Sequence, residues 1–233
     1  LGGGEDLARM EAAARAEGPL WDAEARIGAA MAALFEGSRD GAGAALRRLE
    51  GLDRPVARWL RATAFYRLAR FAEARGEFGA TLEVWPRFTD ARVRRALSTH
   101  ALALDRQAHG EDPRADFGEV IADCTAALSM HGSHYVALST RAVAHAALGE
   151  ANAARGADPT PELRGAVEDL VALRESGADD AATRSNLGNV RHALADAEAA
   201  RGRDPTGELR RALEDFDAAL ARDLAACRKL TQD

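Results

Sequence analysis

Ala-Ala-Arg-Gly-Ala-Asp-Pro-Thr at residues 153–160 and Ala-Ala-Arg-Gly-Arg-Asp-Pro-Thr at 199–206 are almost the same eight residues, and a weaker copy, Gln-Ala-His-Gly-Glu-Asp-Pro-Arg, stands at 107–114. Both intervals between the Asp-Pro pairs are 46 residues long. A fixed period between about 20 and 50 residues is typical of stacked repeat proteins. Each copy follows an Ala-rich run and precedes an apolar-periodic run, which predicts a helical hairpin with Gly-x-Asp-Pro as its turn. Asp158 or Thr160 can cap the helix that follows.

Other positions keep the same period on both sides of these turns. We expect the third, fourth and fifth hairpins to begin near Phe88, Ser133 and Asp180. Four columns of mostly small or apolar residues recur within them at 46-residue intervals: Ala96, Ala142 and Gly188; Val120, Ala166 and Ala212; Cys124, Leu170 and Phe216; and Ala127, Leu173 and Ala219. Such columns are expected where successive hairpins pack closely, so they predict a stacked array.

Two shorter hairpins precede these three, at about 21–51 and 55–86. Three pairs of residues 32 positions apart place the two in register: Ala30 and Ala62, Ala42 and Ala74, and Leu46 and Phe78. Pro55 suits the first turn of a helix, and Gly37 suits the end of one. The sequence therefore predicts a leader and capping helix at 1–18, a repeat array at 19–222 and the end of the last helix at 223–233.

The residues in these columns resemble the tetratricopeptide repeat family. The family pattern of small and aromatic residues is followed in the second hairpin by Ala62, Phe65, Ala74, Phe78 and Pro86, and in the last by Asn186-Leu187-Gly188-Asn189 with Ala212, Phe216 and Ala219. The resemblance covers about residues 19–222. It implies an all-α fold, an α-solenoid of about five antiparallel helix hairpins wound into a right-handed superhelix.

Twelve additional residues distinguish the last three hairpins from the family pattern. Ala62 and Ala74 are 12 residues apart, but Ala96 and Val120 are 24 apart, and the next two hairpins repeat the longer interval. Shared equally, the insertion would lengthen each helix by about 6 residues, or about 9 Å. Such elongated repeats are similar to segments of large bacterial signalling proteins, some attached to a Ser/Thr kinase domain.

The composition argues against several classes of partner. Ala and Arg are strong helix formers, aromatic residues are only 5% of the chain, and the formal net charge is −6. Basic residues are interleaved with acidic ones, so nucleic acid is not an expected partner. No apolar run approaches the ~20 residues of a membrane span. Cys124 and Cys227 lie far apart in helical patterns, which indicates free thiols in a reducing compartment, and we expect the cytoplasm.

No catalytic constellation is found, so we expect neither an enzyme nor a bound cofactor. The sequence lacks a Gly-rich phosphate loop, a Gly-x-Ser-x-Gly elbow, a His-Glu-x-x-His pair and a Cys-x-x-Cys pair. His131 and His134, with His145 further along, are interpreted as polar residues in and after a turn, because a metal site needs further converging ligands. No metal is expected.

Two other reactive residue types also have structural interpretations. Cys124 shares a column with Leu170 and Phe216, which is typical of a core position. The acidic pairs Glu168-Asp169 and Glu214-Asp215 recur with the repeat. This recurrence indicates pairing with Arg between hairpins, or solvation, because a catalytic dyad would normally be unique.

By the resemblance, the first helices would line a concave groove that binds an extended peptide. The groove-facing candidates are Trp59, Thr63, Tyr66, Arg67, Asp90, Val93, Arg94, Leu97, His100, Val136, Ser139, Thr140, Val143, Ser185, Asn186, Asn189 and His192. Asn186 and Asn189 either supply amides to a peptide backbone or belong to a solvated helix face or a link to the neighbouring helix. Trp59 could anchor a partner, but a core position suits it better.

The sequence thus favours a non-catalytic scaffold that binds a peptide or a partner domain. The first alternative is a regulatory or sensor segment of a larger bacterial signalling protein. The second is an array that associates with itself through its terminal hairpins, and we expect a monomer or weak self-association.

Overall fold

Ten α-helices joined by short turns make up the part of the chain that the structure, a computed structural model, describes. It describes residues 19–230, and it describes side chains for residues 21–225. The helices are α1 (Pro19–Phe35), α2 (Arg39–Leu49), α3 (Pro55–Arg67), α4 (Phe71–Val84), α5 (Thr89–Ala108), α6 (Arg114–Met130), α7 (Tyr135–Ala154), α8 (Thr160–Glu175), α9 (Ala181–Ala199) and α10 (Thr206–Leu230). The all-α prediction and the α-solenoid of helix hairpins are confirmed. The leader and capping helix expected at 1–18 lies outside the described residues.

The chain divides into two compact units, and the boundary falls inside α5. One unit extends to Ser98 and the other begins at Thr99. In the first unit, α1 packs on α2 and α3 packs on α4, while α2 also contacts α3. In the second unit, α7 pairs with α8 and α9 with α10, while α6 contacts α7 and α8 contacts α9. Hairpins therefore stack through the second helix of one and the first helix of the next.

The twelve additional residues of the third hairpin divide unevenly between its two helices and its turn. Helix α5 continues 12 residues beyond Ala96, whereas α3 continues only five beyond Ala62. Helix α6 begins six residues before Val120, and α4 begins three before Ala74. Seven of the extra residues therefore extend the first helix, three extend the second, and two lengthen the turn. The expectation of an equal split is wrong, because Gly and Pro fix where each helix stops and starts.

The three Gly-x-Asp-Pro turns share one geometry. Gly110, Gly156 and Gly202 have φ of +76°, +73° and +70°, the left-handed region that favours glycine. After each of them a backbone N–H returns to a carbonyl five residues earlier, as from Ala157 to Asn152 O at 2.9 Å. These bonds satisfy the last carbonyls of the first helix, so Gly ends it as a C-terminal capping motif.

The Asp of each turn then starts the second helix. Asp158 Oδ1 accepts the backbone N–H of Thr160 at 2.9 Å, and Asp204 Oδ1 accepts that of Thr206 at 3.0 Å. Thr160 is itself the first helical residue, so of the two caps expected from the sequence it is the Asp that acts.

Arginine of one turn binds aspartate of the turn before it, which we call the turn ladder. Arg155 Nη2 lies 3.3 Å from Asp112 Oδ2, and Arg201 Nε lies 2.9 Å from Asp158 Oδ1. Arg155 and Arg201 hold the same place in successive copies of the repeated octapeptide. The octapeptide therefore supplies both a turn and a link between neighbouring hairpins.

Candidate functional site

An open cleft lies between α7 and α9 in the second unit. Its volume is about 210 Å³, and α8 forms its floor. The lining residues are Ala142, Val143, Ala146, Glu150, Leu163, Leu170, Asn186, Asn189, Val190 and Ala193. Three sequence candidates, one from α7 and two from α9, thus lie in one cleft.

The two asparagine side chains project from the exposed face of α9. Asn186 and Asn189 are exposed, and neither amide makes a hydrogen bond within residues 21–225. Between them, Leu187 and Gly188 are buried and hold α9 against its neighbours. Asp180 caps the start of the helix by accepting the Thr183 N–H at 2.7 Å. The amides therefore stand on a rigid helix with their donors and acceptors open to a ligand.

The opposite wall and the floor are largely apolar. Val143 on α7 is 48% exposed, whereas Leu163 and Leu170 on α8 are almost fully buried beneath the cleft. A Cβ on Gly149 would come within 3.2 Å of Leu163 Cγ and Cδ2, so glycine permits the close approach of α7 and α8 here. A side chain of a ligand that entered the cleft would meet a preformed apolar surface.

A second cavity continues from this cleft toward the turn of the fourth hairpin. Its volume is about 440 Å³, and it shares Glu150, Leu163 and Ala193 with the first. Glu150 is exposed and has no ion pair within the described side chains. Asp196, also in this cavity, lies 3.4 Å from His192 Nδ1. The two cavities form a continuous groove along α9, and the half formed by the second cavity is acidic.

Buried carboxylates hold the helices that frame the groove. Asp169 on α8 accepts two hydrogen bonds from Arg141 on α7, at 2.9 and 2.5 Å. Asp215 on α10 accepts hydrogen bonds from Arg184, at 2.8 Å, and from Arg191, both on α9. The two aspartates are 3% and 1% exposed. They pair with Arg inside one hairpin, which corrects the expectation of pairing between hairpins.

The candidates of the first unit are occupied by contacts within it. Trp59 Nε1 donates to Asp90 Oδ2 at 2.9 Å, and its ring lies 5.7 Å from that of Phe88. Arg94 Nε donates to the same carboxylate at 2.8 Å. Trp59 is half-buried against the core of this unit, in agreement with its interpretation as a core residue rather than an anchor.

Three further candidates on α3 are also engaged. Thr63 is buried and its hydroxyl donates to Trp59 O at 2.9 Å. Arg67 is exposed, and its guanidinium donates to Leu34 O of the preceding hairpin. Tyr66 is half-buried, with its ring edge-on to Phe71 at 5.6 Å.

Burial also separates the remaining candidates. Val93 and Thr140 are buried, so the structure removes both, together with Thr63, from the groove-facing set. His100 lies against Phe117, with ring centroids 5.8 Å apart, and burial lowers the pKa of its imidazole. The rest line neither cavity and are half-buried or exposed: Leu97, Val136, Ser139, Ser185 and His192.

The histidines and Cys124 have structural roles. His134 caps α7 by accepting the Ala137 N–H at 3.3 Å, and His145 Nδ1 lies 2.6 Å from Glu162 Oε2. Cys124 is fully buried, and burial raises the pKa of its thiol to about 12, which leaves it protonated and unreactive at neutral pH. Among the described side chains, no group of three or more His, Cys, Asp or Glu could hold a metal ion.

Several solved structures share this arrangement of hairpins. The structure titled MamA RS-1 ArsTM double mutant matches with a TM-score of 0.63 and 14% identity, over 88% of this chain and 96% of that one. MamA 41-end from Desulfovibrio magneticus RS-1 matches with a TM-score of 0.60 and 13% identity, over 87% and 96%. TTC0263, a thermophilic TPR protein in Thermus thermophilus, matches with a TM-score of 0.52 and 16% identity, over 87% and 99%.

The chain has a tetratricopeptide-repeat-like fold. At these identities the similarity concerns the fold, and function has to be argued from the groove itself. No protein-family model and no curated protein matches the chain. Among the helices of the described region, none is both long and apolar enough to span a membrane.

Proposed function

We propose that the chain is a non-catalytic scaffold for protein–protein interactions, and that the groove between α7 and α9 takes an extended segment of a partner protein. The observation that carries the proposal is the placement of two exposed amides beside an apolar floor. Asn186 and Asn189 have no hydrogen-bond partner within the described side chains, and Leu163 and Leu170 lie beneath them.

The amides suit a peptide backbone. An extended peptide leaves its own N–H and C=O groups without partners, and each asparagine supplies both a donor and an acceptor. The two residues are three apart on α9, so they share one face of the helix. Val143 and Val190 then offer apolar contact to a side chain of the same peptide. Backbone contacts provide affinity and the apolar floor provides selectivity.

The acidic half of the groove favours a basic side chain further along the peptide. Glu150 has no ion pair within the described side chains, and the other carboxylate here, Asp196, pairs only with His192. Arg201 reaches this end of the groove, but Asp158 engages its guanidinium. A Lys or Arg of the ligand would therefore meet an unpaired carboxylate.

The test uses random dodecapeptides displayed on phage and selected on the immobilised chain. We expect selected peptides to be extended and to carry a basic residue near an apolar one. Replacing both Asn186 and Asn189 by Ala should weaken binding of a selected peptide by roughly 10- to 100-fold, because two hydrogen bonds of about 1 kcal/mol each are lost.

A matched control comes from α7. Asn152 lies on α7 but outside both cavities, so Asn152→Ala should leave the dissociation constant unchanged. The melting temperature of the Asn186→Ala, Asn189→Ala variant should equal that of the wild type. A large fall in melting temperature, or unchanged peptide binding, would show that the two amides are structural.

We also propose a cytoplasmic location, because Cys124 and Cys227 are far apart in helical patterns rather than in a disulfide framework. The role as a regulatory segment of a larger bacterial signalling protein rests on the elongated hairpins alone. The coding sequence on either side of this chain tests that role directly.

A further inference from the structure

The outer face of α10 carries a stripe of exposed leucines. Leu209, Leu213, Leu220 and Leu224 are 41%, 62%, 59% and 50% exposed. Their spacing places them on one side of the helix. Contiguous exposed apolar residues of this kind mark an interaction surface rather than ordinary solvent exposure.

The 46-residue repeat relates this stripe to residues of α8 that pack against the next hairpin. Counting back 46 residues, Leu209 corresponds to Leu163 and Leu213 corresponds to Val167. On α8, both residues pack against α9 of the next hairpin, in the cluster that contains Leu194 and Ala193. Leu209 and Leu213 therefore belong to the surface on which another first helix would stack.

Two charged residues of the last hairpin also have counterparts one repeat earlier, but they lack the ion-pair partners that those counterparts have. Arg164 Nη2 on α8 donates to Glu198 Oε1 of the next hairpin at 2.8 Å, and Arg210 holds the corresponding place on α10. Asp204 corresponds to Asp158, which binds an arginine of the next hairpin in the turn ladder. Neither Arg210 nor Asp204 has an ion pair within the described side chains. The last hairpin thus presents apolar and charged parts of one stacking surface.

Helix α1 ends in an exposed apolar side chain that fits this surface. Phe35 is 92% exposed. As the first helix of a hairpin, α1 is the type of helix that the α10 surface accepts.

The register of α1 identifies which of its residues would make the contact. Ala30 holds the place of Gly188 in the last hairpin, so Phe35, five residues later, holds the place of Ala193. Ala193 is the α9 residue that packs beside Leu163 and Val167. Phe35 would therefore face the leucines of α10 in the way that Ala193 faces those residues of α8.

We propose that two copies of this chain associate head to tail, with the α1 face of one copy stacked on the α10 face of the other. Phe35 of one copy then lies between Leu209 and Leu213 of the other. The contact continues the packing already present between α8 and α9, with a second helix against a following first helix. Each copy uses two different faces, so the association is heterologous and its extent rises with concentration.

Two single substitutions test the arrangement by sedimentation equilibrium. Phe35→Glu disrupts the α1 face, the head, and Leu213→Glu disrupts the α10 face, the tail. Each should weaken self-association by roughly tenfold or more, because a carboxylate would be buried in apolar packing. Both side chains are exposed, so circular dichroism should show wild-type helix content.

The mixture of the two variants is decisive. Leu213→Glu keeps an intact head and Phe35→Glu keeps an intact tail, so an equimolar mixture should form a one-to-one dimer and stop there. Self-association of Phe35→Glu at wild-type strength, a mixture that stays monomeric, or a wild-type chain that is monomeric at millimolar concentration would each overturn the proposal. None of these measurements contains a peptide, so the outcome is independent of the groove.

Discussion

Phe216 lies directly over Gly188, so that a Cβ placed on this glycine would come within 2.6 Å of Phe216 Cε1. One repeat earlier the same two places hold Ala142 and Leu170, which share a core cluster. The larger side chain on the second helix is matched by the smaller residue on the first. The distance between the two helices of a hairpin is thus maintained by two facing residues whose sizes compensate each other, rather than by a residue of fixed size at each position.

Replacing Gly188 with Ala should destabilise the protein. The new methyl group meets an aromatic ring whose place is fixed by packing, and overpacking of this kind costs about 1–3 kcal/mol. The gain in helix propensity offsets about 1 kcal/mol of that cost. Urea denaturation followed by circular dichroism should show a net loss of stability.

The compensating pair also predicts that the effect of Gly188→Ala on stability reverses when Phe216 is replaced by Leu. In the Phe216→Leu background, the pair would copy Ala142 and Leu170, so Gly188→Ala should then stabilise by up to about 1 kcal/mol through helix propensity alone. A Gly188→Ala effect that is the same in both backgrounds would mean that the ring does not limit the space.

Asp215 should be essential for the stability of the last hairpin. Its side chain is 2% exposed, and its carboxylate receives hydrogen bonds from Arg184 and Arg191. Asp215→Ala leaves two guanidinium groups partly buried without this partner, and breaking such a pair costs about 3–5 kcal/mol. Glu214 is the matched control, because it is exposed and unpaired within the described side chains, and Glu214→Ala should change stability by less than ~0.5 kcal/mol. Equal effects of the two substitutions would refute a structural role for the pairing.

The hairpins and their turns follow from local sequence, and so the sequence predicts them well. Gly110 and Gly156 occupy left-handed positions that few other residues adopt, and the Asp-Pro that follows restarts the chain as a helix. Local rules of this kind act over a few residues, so a single sequence contains them. Repetition at 46 residues then supplies the stacking of the hairpins.

Contacts between residues far apart in the chain do not follow from the local sequence. The repetition of Asp169 and Asp215 indicates a shared role, but only the folded structure shows that their arginine partners come from the same hairpin. The turn ladder is not predicted by the sequence either, although Arg155 and Arg201 recur beside the turns that they link. Glu150 completes the groove from the opposite helix, and no local pattern relates it to Asn186.

Acid should weaken the helix starts that depend on the three turn aspartates. Hydrogen bonds from Arg114 lower the pKa of Asp112 from 3.8 to about 2, and hydrogen bonds from Thr160 and Thr206 lower the pKa values of Asp158 and Asp204. A carboxylate with a lowered folded-state pKa stabilises the fold fully above its ordinary pKa, and the effect is lost as the pH falls through the folded value. The melting temperature should therefore fall between about pH 4 and pH 2.

The variant with Asn at positions 112, 158 and 204 separates this effect from general acid denaturation. It should lose less stability than the wild type over the same pH range, because Asn still accepts the backbone N–H but does not titrate. Asp217→Asn is the control, since Asp217 is exposed and has no partner within the described side chains. Parallel melting curves for the wild type and the triple variant between pH 4 and pH 2 would contradict the assignment.

Ala69 offers a stabilising substitution in the first unit. It follows α3 with φ of +58° and is the non-glycine residue with positive φ in the described backbone. Its turn repeats the pattern of the glycine turns, since Arg70 N–H donates to Phe65 O at 2.9 Å.

Left-handed backbone costs a residue with a Cβ about 1–2 kcal/mol, and glycine avoids that cost at a smaller cost in unfolded-state entropy. Ala69 is exposed, so Ala69→Gly loses no core contact and should raise stability by about 0.5–1 kcal/mol, measured by urea denaturation. Gly156→Ala, at φ of +73°, should act in the opposite direction by a similar amount. If Ala69→Gly lowers stability, as Gly156→Ala is expected to do, then the entropy of the unfolded chain outweighs the left-handed strain of Ala69 at the α3–α4 turn.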